Sequence, residues 1–178
     1  MQREFMRLYS PLHARLSRYV EAITRNREEA KDLLSETTLI AYERFEQLKN
    51  KDAFIYFLFS IASKLYKKQL RRRKWWEMFS EDKAIEIPGG YMNPETNADV
   101  DFLYKALDKM PIQFREAIVM FELTGLSIKE IAEIQSVTES AVKSRLTRGR
   151  EKLASLLREG EASPTHFNTN NLMLSPLF

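Results

Sequence analysis

Apolar side chains recur every three to four residues through much of this chain, the spacing of a helix that buries one face. Phe5, Leu8, Leu12, Leu16, Tyr19, Val20 and Ile23 predict a first helix, which Ser10-Pro11 kinks or restarts. Ala30, Leu33, Leu34, Thr37, Ala41, Phe45 and Leu48 predict a second over residues 27–48. Asn26 caps it, with Glu29 placed to complete a capping box. Asp52 is placed to cap a third helix burying Phe54, Phe57, Leu58, Ile61, Ala62 and Leu65.

The clearest pattern lies between residues 126 and 157. Ser127 and Glu130 form an S-x-x-E box that starts a helix at Ile128, and Ile131 and Ile134 repeat on its inner face. Gln135, Ser136 and Val137 supply a turn, and Thr138 caps the next helix. On that helix Val142, Leu146, Gly149, Leu153 and Leu156 form the apolar stripe. Ser140, Lys143, Ser144, Thr147 and Arg148 occupy the opposite side. Two helices joined by so tight a turn outline a helix-turn-helix, whose second helix enters a DNA major groove. Hydroxyls and cations on its outer face suit bases and phosphates together. An ordinary solvated helix face is the competing explanation.

Composition admits an all-α chain of two small helical domains: 178 residues, 44% hydrophobic and without cysteine. No disulfide framework is possible, which fits a cytoplasmic chain. No apolar run approaches the length of a membrane span, and the N-terminus lacks a signal-peptide core. The net charge of +3 is unevenly spread. Residues 1–75 carry 17 Lys and Arg against 9 Asp and Glu, whereas residues 76–100 carry one against six. Residues 101–158 return to a mild excess, ten against eight. Two basic bodies joined by an acidic, turn-rich linker (Pro88-Gly89-Gly90, Asn93-Pro94) point to nucleic acid for the bodies alone. The tail, 159–178, reads as a flexible segment, polar before an apolar end, LMLSPLF, that either stays disordered or folds back weakly as a displaceable lid.

The third helix leaves as a cationic ramp through Lys64, Lys67, Lys68, Arg71, Arg72, Arg73 and Lys74 to Trp75-Trp76. A DNA backbone track, a membrane-surface patch anchored by the tryptophans and a solvated helix end all fit such a ramp. Tyr56 and Phe59 are candidates for stacking on unpaired bases, or else they pack beneath the linker. Glu28, Glu29, Asp32 and Glu36 have no histidine nearby and suit a helix start rather than a metal. His13 and His166 lack catalytic partners, and no glycine-rich phosphate loop occurs. Neither an enzyme nor a cofactor is expected.

The segment MPIQFREAIVMFELTGLSIKEIAEIQSVTESAVKSRLTRGREKL resembles region 4 of bacterial sigma factors, above all the extracytoplasmic-function class. Met110-Pro111, Arg115, Gly125-Leu126-Ser127, Glu130-Ile131-Ala132 and Val142-Lys143-Ser144-Arg145-Leu146 carry the likeness. Gly149 stands where that family usually has alanine, and Gln135-Ser136 where it often has Leu-Gly. Residues 1–75 resemble region 2 through Arg27-Glu28-Glu29-Ala30-x-Asp32-Leu33, Phe57-Leu58, Ile61-Ala62 and Leu70-Arg71-Arg72. Ser35 replaces the glutamine of a Gln-Glu pair that ends in Glu36, and Lys64 and Lys68 replace frequent Asn and Asp.

The resemblance implies a sigma subunit that binds core RNA polymerase and promoter DNA and pairs with an anti-sigma factor. It implies that Asp32, Ser35 and Glu36 face polymerase, and that Lys64, Lys67, Lys68, Arg71 and Arg72 meet the downstream element and its backbone. Ser140, Lys143, Ser144, Thr147 and Arg148 would read the −35 element, while Arg145 grips backbone or the preceding helix. A helix-turn-helix regulator that never joins polymerase, and a membrane-surface protein, are the rival readings.

Overall fold

Described by a computed structural model over residues 1–79 and 98–160, the chain forms helices joined by short turns over that range. The tail and most of the acidic joint, with the readings made for them, lie outside the described residues. The helices are α1 (Gln2–Thr24), α2 (Arg27–Glu43), α3 (Phe54–Phe79), α4 (Ala98–Asp108), α5 (Ile112–Ile118), α6 (Ile128–Gln135) and α7 (Glu139–Gly160).

The first three form one unit. Contrary to expectation, α1 runs unbroken through Pro11. Pro11 sits on the exposed side, where water can satisfy the carbonyl it leaves without a partner. Asn26 caps α2 by accepting from the amides of Glu28 and Glu29. The Glu29 carboxylate does not close the box, because it pairs with Arg73 of α3 at 2.7 Å. Helix α2 stops at Glu43, short of residue 48, and two 3₁₀ turns follow, Phe45–Gln47 and Lys51–Ala53. They bring Phe45 to Phe5 and Phe54, whose rings meet edge-on at 5.4–5.6 Å. Asn50, not Asp52, caps the entry to α3, its side chain accepting from the Asp52 amide. Helix α3 buries Phe54, Leu58, Phe59, Ile61, Ala62 and Tyr66, with Phe57 and Leu65 only half-buried.

In the second unit α5 ends in a π turn (Val119–Leu123), closed by Thr124 N–H to the Val119 carbonyl. Gly125 follows at φ +64°, a conformation that favours glycine, and lets Leu126 N–H reach the Met120 carbonyl. The capping box forms as expected, Ser127 and Glu130 each bonding the other's amide. Ser136 ends α6 at φ 54°, in the place where glycine is favoured. Thr138 accepts from the Ala141 amide and starts α7.

Helix α7 buries Val142, Leu146, Leu153 and Leu157 and packs on α4, α5 and α6, leaving Leu156 half-exposed. Gly149 lies where α5 approaches closest: an added Cβ would stand 2.9 Å from Ile118 Cδ1 and 3.4 Å from Phe114 Cβ. The departure from alanine at this site therefore lets two helices sit closer together.

Candidate nucleic-acid interface

Every residue singled out on α7 reaches solvent. Ser140, Lys143, Ser144, Thr147 and Arg148 are exposed, on the side opposite the buried stripe. The cause is periodicity: at about 100° per residue these five positions share one arc of roughly 140°. Arg145 lies beside that arc and donates to Gln135 Oε1 at 2.5 Å, bracing α7 against α6. A donor-rich, cationic outer face on a braced second helix can enter a groove and reach base edges.

On α3, Lys64, Lys68, Arg71 and Arg72 are exposed, whereas Lys67 and Arg73 turn inward to carboxylates. Phe59 is fully buried and packs against Tyr19 at 5.5 Å, so it cannot meet a base. Alternation within one helix decides this, since Phe59 shares the face of Ala62 and Tyr66. Asp32, Ser35 and Glu36 line the exposed side of α2. The structure adds Leu39 to them, one turn onward and 56% exposed, an apolar centre on an otherwise polar face.

Beside the apolar contact of α3 with α6, the two units meet along a polar seam that periodicity alone does not disclose. Glu116 of α5 has no solvent exposure. Its Oε1 accepts from Tyr19 of α1 at 3.0 Å and from Ser63 of α3 at 2.7 Å. Its Oε2 has the Lys67 ammonium 2.7 Å away, an ion pair without a well-aligned hydrogen bond. Lys67 also donates to Ser63 Oγ at 3.0 Å. Burial pushes the Tyr19 phenol well above its ordinary pKa, and the Glu116 charge adds to the rise.

Nearby, Tyr66 donates to the Ile23 carbonyl and accepts from Arg115, which also pairs with Asp108 at 2.8 Å. Burial raises the Tyr66 phenol too, against the opposing pull of Arg115. Arg25 is held at φ 55° past the end of α1 and bridges Asp101 and Asp108. Arg15 donates to the carbonyls of Thr124 and Gly125, satisfying the end of the π turn from outside its own unit. The signal for this seam was present but silent: Arg115 and Glu116 set between Phe114 and the apolar run 117–120.

A helix-turn-helix with an exposed cationic second helix, tied to a three-helix unit with its own cationic helix, has the architecture of a DNA-binding protein. The Sigma-70 region 2 family matches residues 6–76, and the Sigma-70 region 4 family matches residues 103–153. The chain is similar to the ECF RNA polymerase sigma factor EcfG of Rhodopseudomonas palustris (strain TIE-1). The two are 28% identical over 149 residues, covering 80% of this chain and 78% of that protein. It is also similar to the ECF RNA polymerase sigma factor SigE of Mycolicibacterium smegmatis, 31% identical over 149 residues, 80% of this chain and 57% of the other. Among solved structures, the sigma factor RpoE of Bartonella quintana, crystallised with the anti-sigma factor NepR, has the same fold. The TM-score is 0.74 at 23% identity, over 86% of this chain and 96% of that one.

The chain belongs to the ECF class of RNA polymerase sigma factors. Its function is that of the class: a non-catalytic subunit that binds core RNA polymerase and directs transcription initiation. Among the described residues, no helix is long and apolar enough to cross a membrane.

Proposed function

We propose how that function is divided over the surface. The outer face of α7, through Ser140, Lys143, Ser144, Thr147 and Arg148, reads the −35 element. Lys64, Lys68, Arg71 and Arg72 on α3 run along the strands of the downstream element. Lys67 joins them when it leaves Glu116. Asp32, Ser35 and Glu36, with Leu39 at their centre, dock on core polymerase. Region 2 occupies residues 1–75 and region 4 residues 101–158, the protein works in the cytoplasm, and an anti-sigma protein restrains it. The Bartonella quintana neighbour, captured with such a partner, supports that last point.

One observation carries the reading: all five α7 residues chosen for DNA contact are exposed on one face of a helix braced by Arg145. Transcription in vitro with purified core polymerase tests it. Promoter-specific transcripts are expected from the wild-type protein, with loss of promoter preference when the α7 face is substituted. Transcription that ignores those substitutions would remove the face from promoter reading.

A further inference from the structure

Gln135 closes α6 and meets Arg145 of α7 across the helix-turn-helix corner. The Arg145 guanidinium donates through Nη1 to Gln135 Oε1 at 2.5 Å. Arginine offers only donors, so the amide must present its oxygen, which turns its nitrogen the other way. That nitrogen, Nε2, is buried and has no partner among the described residues. An unpaired buried N–H is unfavourable, and native structures carry few of them. Leucine, which the family often has at this place, would fill the space without leaving a donor unpaired. Glutamine therefore weakens the corner relative to an apolar side chain, and what it gains is one fixed bond to Arg145.

The rest of that guanidinium is free to act. Arg145 has no second hydrogen-bond partner among the described residues, and its remaining N–H groups reach solvent. At about 100° per residue it lies roughly 60° beyond Arg148, its surface neighbour three residues on, at the rim of the outer face. In a helix-turn-helix the first helix crosses the DNA backbone while the second enters the groove. A side chain held between the two helices therefore sits where phosphates pass.

We propose that Gln135 is a positioning residue for DNA binding: it holds one arm of the Arg145 fork so that the other arm clamps a phosphate at the groove edge. A planar fork suits this double duty, whereas the point charge of a lysine does not. The amide itself does not touch DNA. The inference rests on the reading of α7 as the helix that enters the groove, and it adds a contact that fixes that helix in register on the backbone.

Fluorescence anisotropy of two labelled duplexes, one with the cognate −35 element and one scrambled, tests the proposal on the full chain. Low salt keeps both measurable, since non-specific binding is electrostatic. Gln135→Met keeps the length of the side chain and removes the strong acceptor. Binding should weaken severalfold and equally on both duplexes, and the salt dependence should fall by about one phosphate contact. Arg145→Lys keeps the charge and loses the fork, so it should weaken binding to the same extent. The double variant should be no worse than either single one. The melting midpoint of Gln135→Met should hold or rise, because the unpaired N–H is gone.

Stability that holds while affinity falls separates positioning from bracing. A midpoint and an affinity that fall together would overturn the proposal and reduce the pair to a structural brace. Unchanged affinity in Gln135→Met, or additive losses in the double variant, would overturn it as well. A loss confined to the cognate duplex would put Arg145 on a base edge and overturn the phosphate clamp. Cognate preference by the wild-type protein is read in the same titrations. Its presence beside an unaffected Gln135→Met sinks the positioning role alone. Its absence, with the loss in Gln135→Met intact, sinks the −35 reading of α7 and leaves the clamp standing.

Discussion

Lys67 brings its ammonium within 2.7 Å of the Glu116 carboxylate, joining helix α3 to helix α5 across 49 residues of sequence. The carboxylate is fully buried, whereas the lysine side chain keeps 36% of its exposure. Burying a charge is unfavourable unless it is paired and hydrogen-bonded, and Tyr19 and Ser63 supply the remaining bonds. Lys67→Ala should therefore lower stability by about 1–3 kcal/mol, less than a fully buried pair because water still reaches the ammonium. The double variant Lys67→Met with Glu116→Gln should lose less than the sum of its parts. Urea melts of the four proteins in a double-mutant cycle measure the coupling.

The buried phenols set an alkaline limit. Tyr19 and Tyr66 are held above the ordinary tyrosine value by burial, Tyr19 further by Glu116. In the unfolded chain they ionise near pH 10, so above that pH the unfolded state releases protons the folded state retains. Their contribution is complete below about pH 10 and is lost as pH rises beyond it. Melting temperatures across pH 8–11 should fall along that upper range. Tyr19→Phe should start lower, having lost its bond to Glu116, and should fall less steeply.

Arg148 is exposed on the outer face of α7. Arg148→Ala should weaken binding to the cognate −35 duplex by about 1–3 kcal/mol, the range for a bidentate base contact. Equal losses on cognate and scrambled duplexes, in titrations at matched salt, would give it a phosphate role instead.

Asp32 and Glu36 lie one turn apart on exposed α2, with Leu39 beside them. Reversing both charges should weaken core-polymerase capture while leaving −35 duplex binding and helicity unchanged. Leu39→Ala should act in the same direction by removing the apolar centre of the patch.

Ser136 holds a left-handed conformation at the corner of the helix-turn-helix. Ser136→Gly relieves the clash of a Cβ there and should raise stability by about 1 kcal/mol. Thermal melting of the full chain is the check, and an unchanged midpoint would mean the corner bears no strain.

What the sequence disclosed and what it withheld follow from the range of the forces involved. The box of Ser127 with Glu130 and the stripe through Val142 and Leu146 depend on neighbours within one or two turns. Both formed as read. Local competition misled at the entry to α3, where Asn50 and Asp52 are both good caps and Asn50 took the role. Phe59 was ambiguous because aromatic residues at 56, 57 and 59 allow several inner faces until Tyr19 occupies one of them. Glu116 was illegible for a different reason. Its partners Tyr19 and Ser63 stand 97 and 53 positions away, and no periodicity links the three.

The polar network between the units has a consequence for how they fit. Were the two units to part, a phenol, a hydroxyl, an ammonium and a carboxylate would each exchange a protein partner for water, so these bonds add little net attraction. Attraction comes from the apolar contact beside them, where α3 meets α6 and its buried Ile131, Ala132 and Ile134. A slipped docking would leave the Glu116 carboxylate buried without its partners, at a large cost. Oil holds the halves together, and one buried charge rejects every placement but this one.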